Sequence, residues 1–171
     1  DEGVRFVVIG GFAGRFWGSN SITNDVDICY ARDRKNLEAL ASALRKLEAR
    51  LRGAPAGILF LLDARTLEAG DHFTFETNAG NLDCLGNPAG SRGYLDLIQG
   101  ATDMDVEGMR IPVAALEDVI RLKKAAGRPK DRAELDPRGA YRGDRTESKE
   151  AVASPASKAP AEARGSRPCL S

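Results

Sequence analysis

The 171-residue chain is poor in the side chains on which many enzymes run. It has one histidine, His72, which excludes a multi-histidine metal centre and an HExxH protease motif and leaves one candidate for any Ser-His-Asp triad. Its three cysteines, Cys29, Cys84 and Cys169, are an odd count with no CxxC pair. That argues against a disulfide framework and a structural zinc site, and points to a reduced, cytoplasmic setting. Net charge is zero, with 25 basic against 25 acidic residues, so bulk charge offers no attraction to nucleic acid or membrane. The longest apolar run, Ile58 to Leu62, is far too short for a bilayer span, so no membrane partner is expected. No signal or transit peptide pattern opens the sequence. It begins with Asp1 rather than Met, and a natural segment ahead of Asp1 is expected. Any catalysis here must rest mainly on carboxylates.

Large apolar residues are nearly missing from Pro137 to Ser171, where only Tyr141, Val152 and Leu170 occur among Ala, Ser, Pro, Gly and charge. Such a segment buries too little surface to offset the entropy of ordering it, so a disordered polar tail is expected over 137–171. Its seven basic and four acidic residues leave the first 136 residues weakly acidic. Residues 1–136 are long enough for one domain of ordinary size.

Within that domain strand and helix patterns alternate. Val4 to Ile9 is a β-rich run ending at Gly10-Gly11, a short helix is expected over Phe12 to Trp17, and Asp25 to Tyr30 alternates with period two as a strand. Leu37, Leu40, Leu44, Leu47 and Leu51 recur at helical spacing, predicting a helix that starts after Asp33 as N-cap and stops at Gly53. Ile58 to Asp63, Phe73 to Thr77 and Asn81 to Leu85 read as strands, and Gly93 to Gln99 as a short helix. Arg110 to Val113 reads as an edge strand limited by Pro112, and Ala114 to Ala126 as a last helix closed by Gly127 and Pro129. The expectation is an α/β fold (α+β in its segregation), with a mixed sheet of about five strands and helices mainly on one face.

Three groups of residues carry possible chemistry. On a strand, residues i and i+2 share a face, so Asp25 and Asp27 project side by side. Two such carboxylates repel unless a cation sits between them, and their hard oxygens suit Mg²⁺. The Gly10-Gly11 turn ahead of a helix lets a phosphate approach backbone N–H groups. Asp83, between Leu82 and Cys84, is either a third acid facing the first two or a residue facing water while its neighbours face the core. Lys123 falls seven residues after Leu116 on the apolar face of the last helix, whereas Lys124 lies one position round toward solvent. Beyond it, Gly127-Arg-Pro-Lys-Asp131 packs two cations and an acid into a turn, with Asp131 as a plausible N-cap or a polyphosphate contact. Cys29 reads as a small buried hydrophobe, and His72 is assigned no role.

Val7-Val-Ile-Gly-Gly11 followed by Asp25-Val-Asp-Ile28 resembles the signature of the DNA polymerase β-like nucleotidyltransferase superfamily. Gly80-Asn-Leu-Asp-Cys-Leu-Gly86 and the Ile120 to Asp131 stretch are similar to its small bacterial AbiEii/MenT-type branch, toxins of toxin–antitoxin systems; the likeness spans Val4 to Leu135. The resemblance implies a minimal nucleotidyltransferase fold and Mg²⁺-dependent transfer of an NMP from an NTP such as ATP to an acceptor hydroxyl. The tRNA 3′ end would be the acceptor, and a cognate antitoxin protein a partner. By the same resemblance, Gly10, Gly11, Ser21 and Thr23 would hold the nucleotide, and Asp25, Asp27 and Asp83 would bind two Mg²⁺ ions. Asp83 would also help deprotonate the acceptor, and Lys123 and Asp131 would organise the triphosphate. Two departures stand out: Asn24 precedes Asp25 where relatives often carry a basic residue, and the polar tail replaces a helical C-terminal region. The same site suits AMP addition to a protein hydroxyl, as in an antitoxin-like enzyme, and a non-catalytic nucleotide- or partner-binding module is the alternative of a different class. A Rossmann dinucleotide site is disfavoured because Gly10-Gly11-Phe-Ala-Gly14 does not fit GxGxxG.

Overall fold

The computed structural model describes residues 2–55, 60–129 and 131. The expected disordered tail, and Ile58 and Leu59 of the expected third strand, lie outside the described residues. Twelve elements follow in chain order: β1 (Phe6–Ile9), α1 (Gly10–Phe16), β2 (Asp25–Tyr30), α2 (Arg34–Lys46), β3 (Arg50–Leu51), α3 (Ala64–Ala69), β4 (His72–Thr77), β5 (Gly80–Leu85), α4 (Tyr94–Leu97), β6 (Thr102–Val106), β7 (Met109–Val113) and α5 (Leu116–Ala126).

The strands form one mixed sheet in the order β3-β4-β5-β2-β1-β7-β6. It has seven strands, where the sequence suggested about five. The two additions are small or polar: β3 is a two-residue edge, and β6 alternates acids with apolar residues in Thr-Asp-Met-Asp-Val. β7 is internal, not the expected edge, flanked by β1 and β6. Pro112 shares the parity of Ala114, whose N–H donates to the Val8 carbonyl, so the missing N–H faces β1. The β1–β7 ladder is accordingly reduced to the single pair Val8↔Val113, while the β6–β7 hairpin runs its full length.

Local chemistry explains most of the boundaries. The Asp33 side chain accepts from the Asn36 N–H at 3.3 Å and caps α2, as expected, and Leu37, Leu40 and Leu44 are buried. α2 ends at Lys46, before the expected stop at Gly53, because Glu48 takes φ +53° and the Ala49 N–H turns back to the Leu44 carbonyl. The part of Ile58–Asp63 that is described, Phe60 to Asp63, is not a strand. Phe60 packs on Phe73 and Phe75 at centroid distances of 6.1 Å, and Asp63 caps α3 through the Thr66 N–H at 2.8 Å. An apolar run with period neither two nor 3.6 does not distinguish a strand from a loop that simply drops aromatics onto a sheet.

Helices cover both faces of the sheet, correcting the one-sided expectation. On one face Val8, Val26, Ile28 and Leu82 meet Phe12 and Phe16 of α1 and Leu40 and Leu44 of α2 around an apolar groove. On the other, Ile9, Asp27, Asp83 and Leu85 line a cleft under Leu122 and Lys123 of α5, to which α4 is tied by the Asp96–Arg121 ion pair at 2.9 Å. This second face carries the acids. Among the described residues no helix is long and apolar enough to cross a membrane.

Candidate active site

The acids meet because of strand register. β2 and β5 run parallel with Asp25 opposite Asn81 and Asp27 opposite Asp83, so Asp27 and Asp83 are lateral neighbours on one face and Asp25 shares that face. Of the two orientations open to Asp83, the structure takes the one facing the other acids, and the residue is 8% exposed. Asp27 and Asp83 line a cleft of about 300 Å³, together with Gly10, His72, Lys123 and Arg128.

Gly10 is required twice over. It adopts φ +67°, and a Cβ there would overlap the Asp27 carboxylate. At Gly11 a Cβ would stand 2.9 Å from the Thr23 Cβ. The Gly11 N–H donates to the Asp27 carboxylate, so the start of α1 is aimed at an anion, here a side chain of the protein itself. Thr23 donates its hydroxyl to Asp25 Oδ1 at 2.7 Å. It thus positions the first acid, and does not line the cleft. Ser21 also stands outside the cleft lining, its N–H bonded to Ser19 Oγ at 3.2 Å.

The charges are unevenly compensated. Burial first, then Asp25 and Asp83, push the Asp27 carboxyl up to about 6, opposed by Arg128 and the Gly11 N–H. Asp83 has a dedicated partner: Arg52 Nη2 donates to Oδ1 at 2.8 Å and Oδ2 at 3.1 Å. Lys123 is 4% exposed and lines the cleft, whereas Lys124 is exposed, as their helical positions suggested. Asp131 is not an N-cap. It is 2% exposed and accepts from Arg128 Nε at 2.8 Å, holding that guanidinium at the cleft rim.

Arg52, Arg128 and His72 are the residues that sequence reasoning passed over. Arg128 lay inside a stretch already noted for its charge. The assignment of no role to His72 sits against its place on the cleft wall, in register with Leu85. Arg52 carried no signal, because its partner is 31 residues away.

Hard carboxylate oxygens facing a half-buried, under-neutralised centre beside a glycine cradle fit a divalent cation at Asp25 and Asp27. Among the described residues no three acids form a ready metal cage; Asp83 is engaged by Arg52.

No protein-family model and no curated protein matches the chain. Among solved structures it is similar to a Thermotoga maritima protein of inferred nucleotidyltransferase function, with 17% identity, coverage of 79% of this chain and 81% of the other, and a TM-score of 0.51. The lincosamide antibiotic adenylyltransferase LnuA in its lincomycin-bound form matches at 14% identity over 68% of this chain and 73% of its own, with a TM-score of 0.44. The antibiotic-resistance factor ANT(2'')-Ia matches at 17% identity over 68% of this chain and 59% of its own, with a TM-score of 0.41. At these identities the likeness to the Thermotoga protein is one of fold.

Proposed function

We propose that residues 1–136 form a nucleotidyltransferase that moves an NMP from an NTP to an acceptor hydroxyl. The observation that carries this reading is the juxtaposition of Asp25 and Asp27 with Asp83 on one sheet face, beside the glycine turn that opens α1. Asp25 and Asp27, joined by Asp83, would hold two Mg²⁺ ions, which when bound would neutralise charge on the α-phosphate and the departing pyrophosphate. The chain's own groups do the rest. Gly10 and Gly11 let the start of α1 close on Asp27 and Thr23, Thr23 fixes Asp25, and Ser21, in the loop between α1 and β2, would meet the nucleotide from outside the cleft. Lys123, and Arg128 held by Asp131, meet the triphosphate charge from α5 and the residues after it. Asp83 takes the proton of the acceptor oxygen as it attacks.

For the acceptor we infer an RNA 3′-terminal hydroxyl, that of tRNA, in keeping with the resemblance to the toxin branch; a cognate antitoxin would then be the protein partner, and the cytoplasm the setting. A second cleft of about 500 Å³ supports a polyanionic acceptor. Arg5, Arg32, Arg92 and Tyr94 line it, the arginines resting on Asp33, Asp71 and Asp96, and it borders the first cleft at Asn87, a residue common to both. Arginines and aromatic rings are the means by which proteins hold single-stranded nucleic acid, and Tyr94 here is half-buried.

The test is incubation with each labelled NTP, Mg²⁺ and total tRNA. Label on tRNA is the expected result. Label on protein instead would move the acceptor to a protein hydroxyl, as in an AMP-adding enzyme. No transfer with any NTP, with nucleotide binding intact, would reduce the protein to a binding module.

A further inference from the structure

We propose that Arg52 is a resident counter-ion for the third acid, which a divalent cation must displace from Asp83 before the three-carboxylate site is complete. The inference rests on the nucleotidyl-transfer reading of the same site.

The geometry is specific. Arg52 directly follows the edge strand β3, and its N–H donates to the Thr74 carbonyl at 2.9 Å. Leu51 pairs with Phe75 on the apolar face, so Arg52 stands on the acidic one, alongside Thr74 and its register partner Asp83. From there one nitrogen, Nη2, reaches over β4 and engages both carboxylate oxygens, at 2.8 and 3.1 Å. Asp83 faces Asp27, and both of its oxygens already accept from a resident cation that a metal would have to replace.

The two partners differ in freedom. The Asp83 side chain is 11% exposed and lies inside a paired strand, whereas Arg52 is 34% exposed and follows a strand of two residues at the sheet edge. When the pair opens, Arg52 has water to enter and Asp83 has not. A guanidinium stays protonated at any physiological pH, so the pair is not broken by loss of its proton, and a competing cation is what keeps Asp83 from closing back on Arg52. A divalent cation carries twice the charge and also neutralises Asp25 and Asp27, which Arg52 does not touch. Exchange is therefore favoured once the cation is abundant and opposed when it is scarce. Arg52 so sets a threshold of cation concentration below which the third acid stays sequestered.

The experiment reads binding of Mn²⁺, a spectroscopic substitute for Mg²⁺, to the nucleotide-free full chain by electron paramagnetic resonance, alongside unfolding temperature. R52Q is expected to bind Mn²⁺ about tenfold more tightly than the unmodified protein, and to gain more in unfolding temperature on adding it. R52K, which keeps the charge on a shorter side chain, is expected in between, and serves if R52Q does not fold. In an Asp83→Asn background, removing Arg52 should change nothing. Measurable but equal Mn²⁺ affinity in the unmodified protein and R52Q, or weaker binding in R52Q, overturns the exchange and leaves the transferase reading standing. No Mn²⁺ binding by either folded protein overturns both.

Discussion

Asp27→Asn offers a test of the charge arrangement that needs no substrate. Asp27 has a folded-state pKa of about 6 against an ordinary value of 3.8, raised by burial and by Asp25 and Asp83. The folded state therefore holds this proton more tightly than the unfolded chain, and ionising it costs folding stability. That cost is absent below about pH 4, grows as pH rises between the two pKa values, and is complete above about pH 6. At ~1.4 kcal/mol per unit it reaches about 1 kcal/mol near pH 4.5 and about 3 kcal/mol near pH 7.5. The amide cannot ionise but can still accept the Gly11 N–H. The variant should therefore be more stable than the unmodified protein at pH 7.5, by up to about 10 °C in midpoint, and much closer to it at pH 4.5. Mg²⁺ should narrow the gap at pH 7.5 by stabilising the unmodified protein alone, because it binds the ionised form. Thermal unfolding followed by circular dichroism at both pH values, with and without Mg²⁺, measures all four differences. A variant no more stable than the unmodified protein at pH 7.5, or a difference independent of pH, would refute the account of an under-neutralised acidic centre.

Gly10→Ala combines a positive φ with an overlap against the Asp27 carboxylate. It should lose about 2 kcal/mol or more in urea denaturation and disrupt nucleotide transfer together. Asp83→Asn should keep NTP binding, measured by calorimetry, while transfer falls at least about a hundredfold, the scale of losing a positioned general base; unchanged turnover would remove Asp83 from the chemistry. Asn36 is 2% exposed, donates to the Arg5 and Ala31 carbonyls at 3.0 and 2.7 Å, and accepts the Arg5 N–H at 2.7 Å. Asn36→Ala strands those backbone groups and should lower the denaturation midpoint by the equivalent of about 2–4 kcal/mol without touching nucleotide binding.

What the sequence determined by itself was the part set by neighbours along the chain. The β1-α1-β2 succession, the pairing of Asp25 with Asp27 on one face, the Asp33 cap and the Leu37, Leu40, Leu44 stripe all follow from period and capping, which act over a few residues, although α1 opens at Gly10 directly after β1, ahead of the expected Phe12. The placement of Lys123 inside and Lys124 outside follows from helical angle alone. Errors arose where local pattern is silent. Ile58 to Asp63 has no period that fixes its conformation, β3 is too short to show one, and a strand containing Pro112 looks like an edge until the partners on either side are known.

Only the tertiary structure decided which way Asp83 faces. Period two allows either orientation, and a shift of one residue in the β2–β5 register would send it to the opposite face of the sheet. The same holds for Arg52 and Arg128, whose partners and cleft are reached through sheet order and the packing of α5 across the acidic face. Charges interact through space at a few ångströms, while sequence reports separation along the chain. A site assembled from β2, β5, the end of β3 and the far side of α5 becomes legible only when the sheet has brought them together.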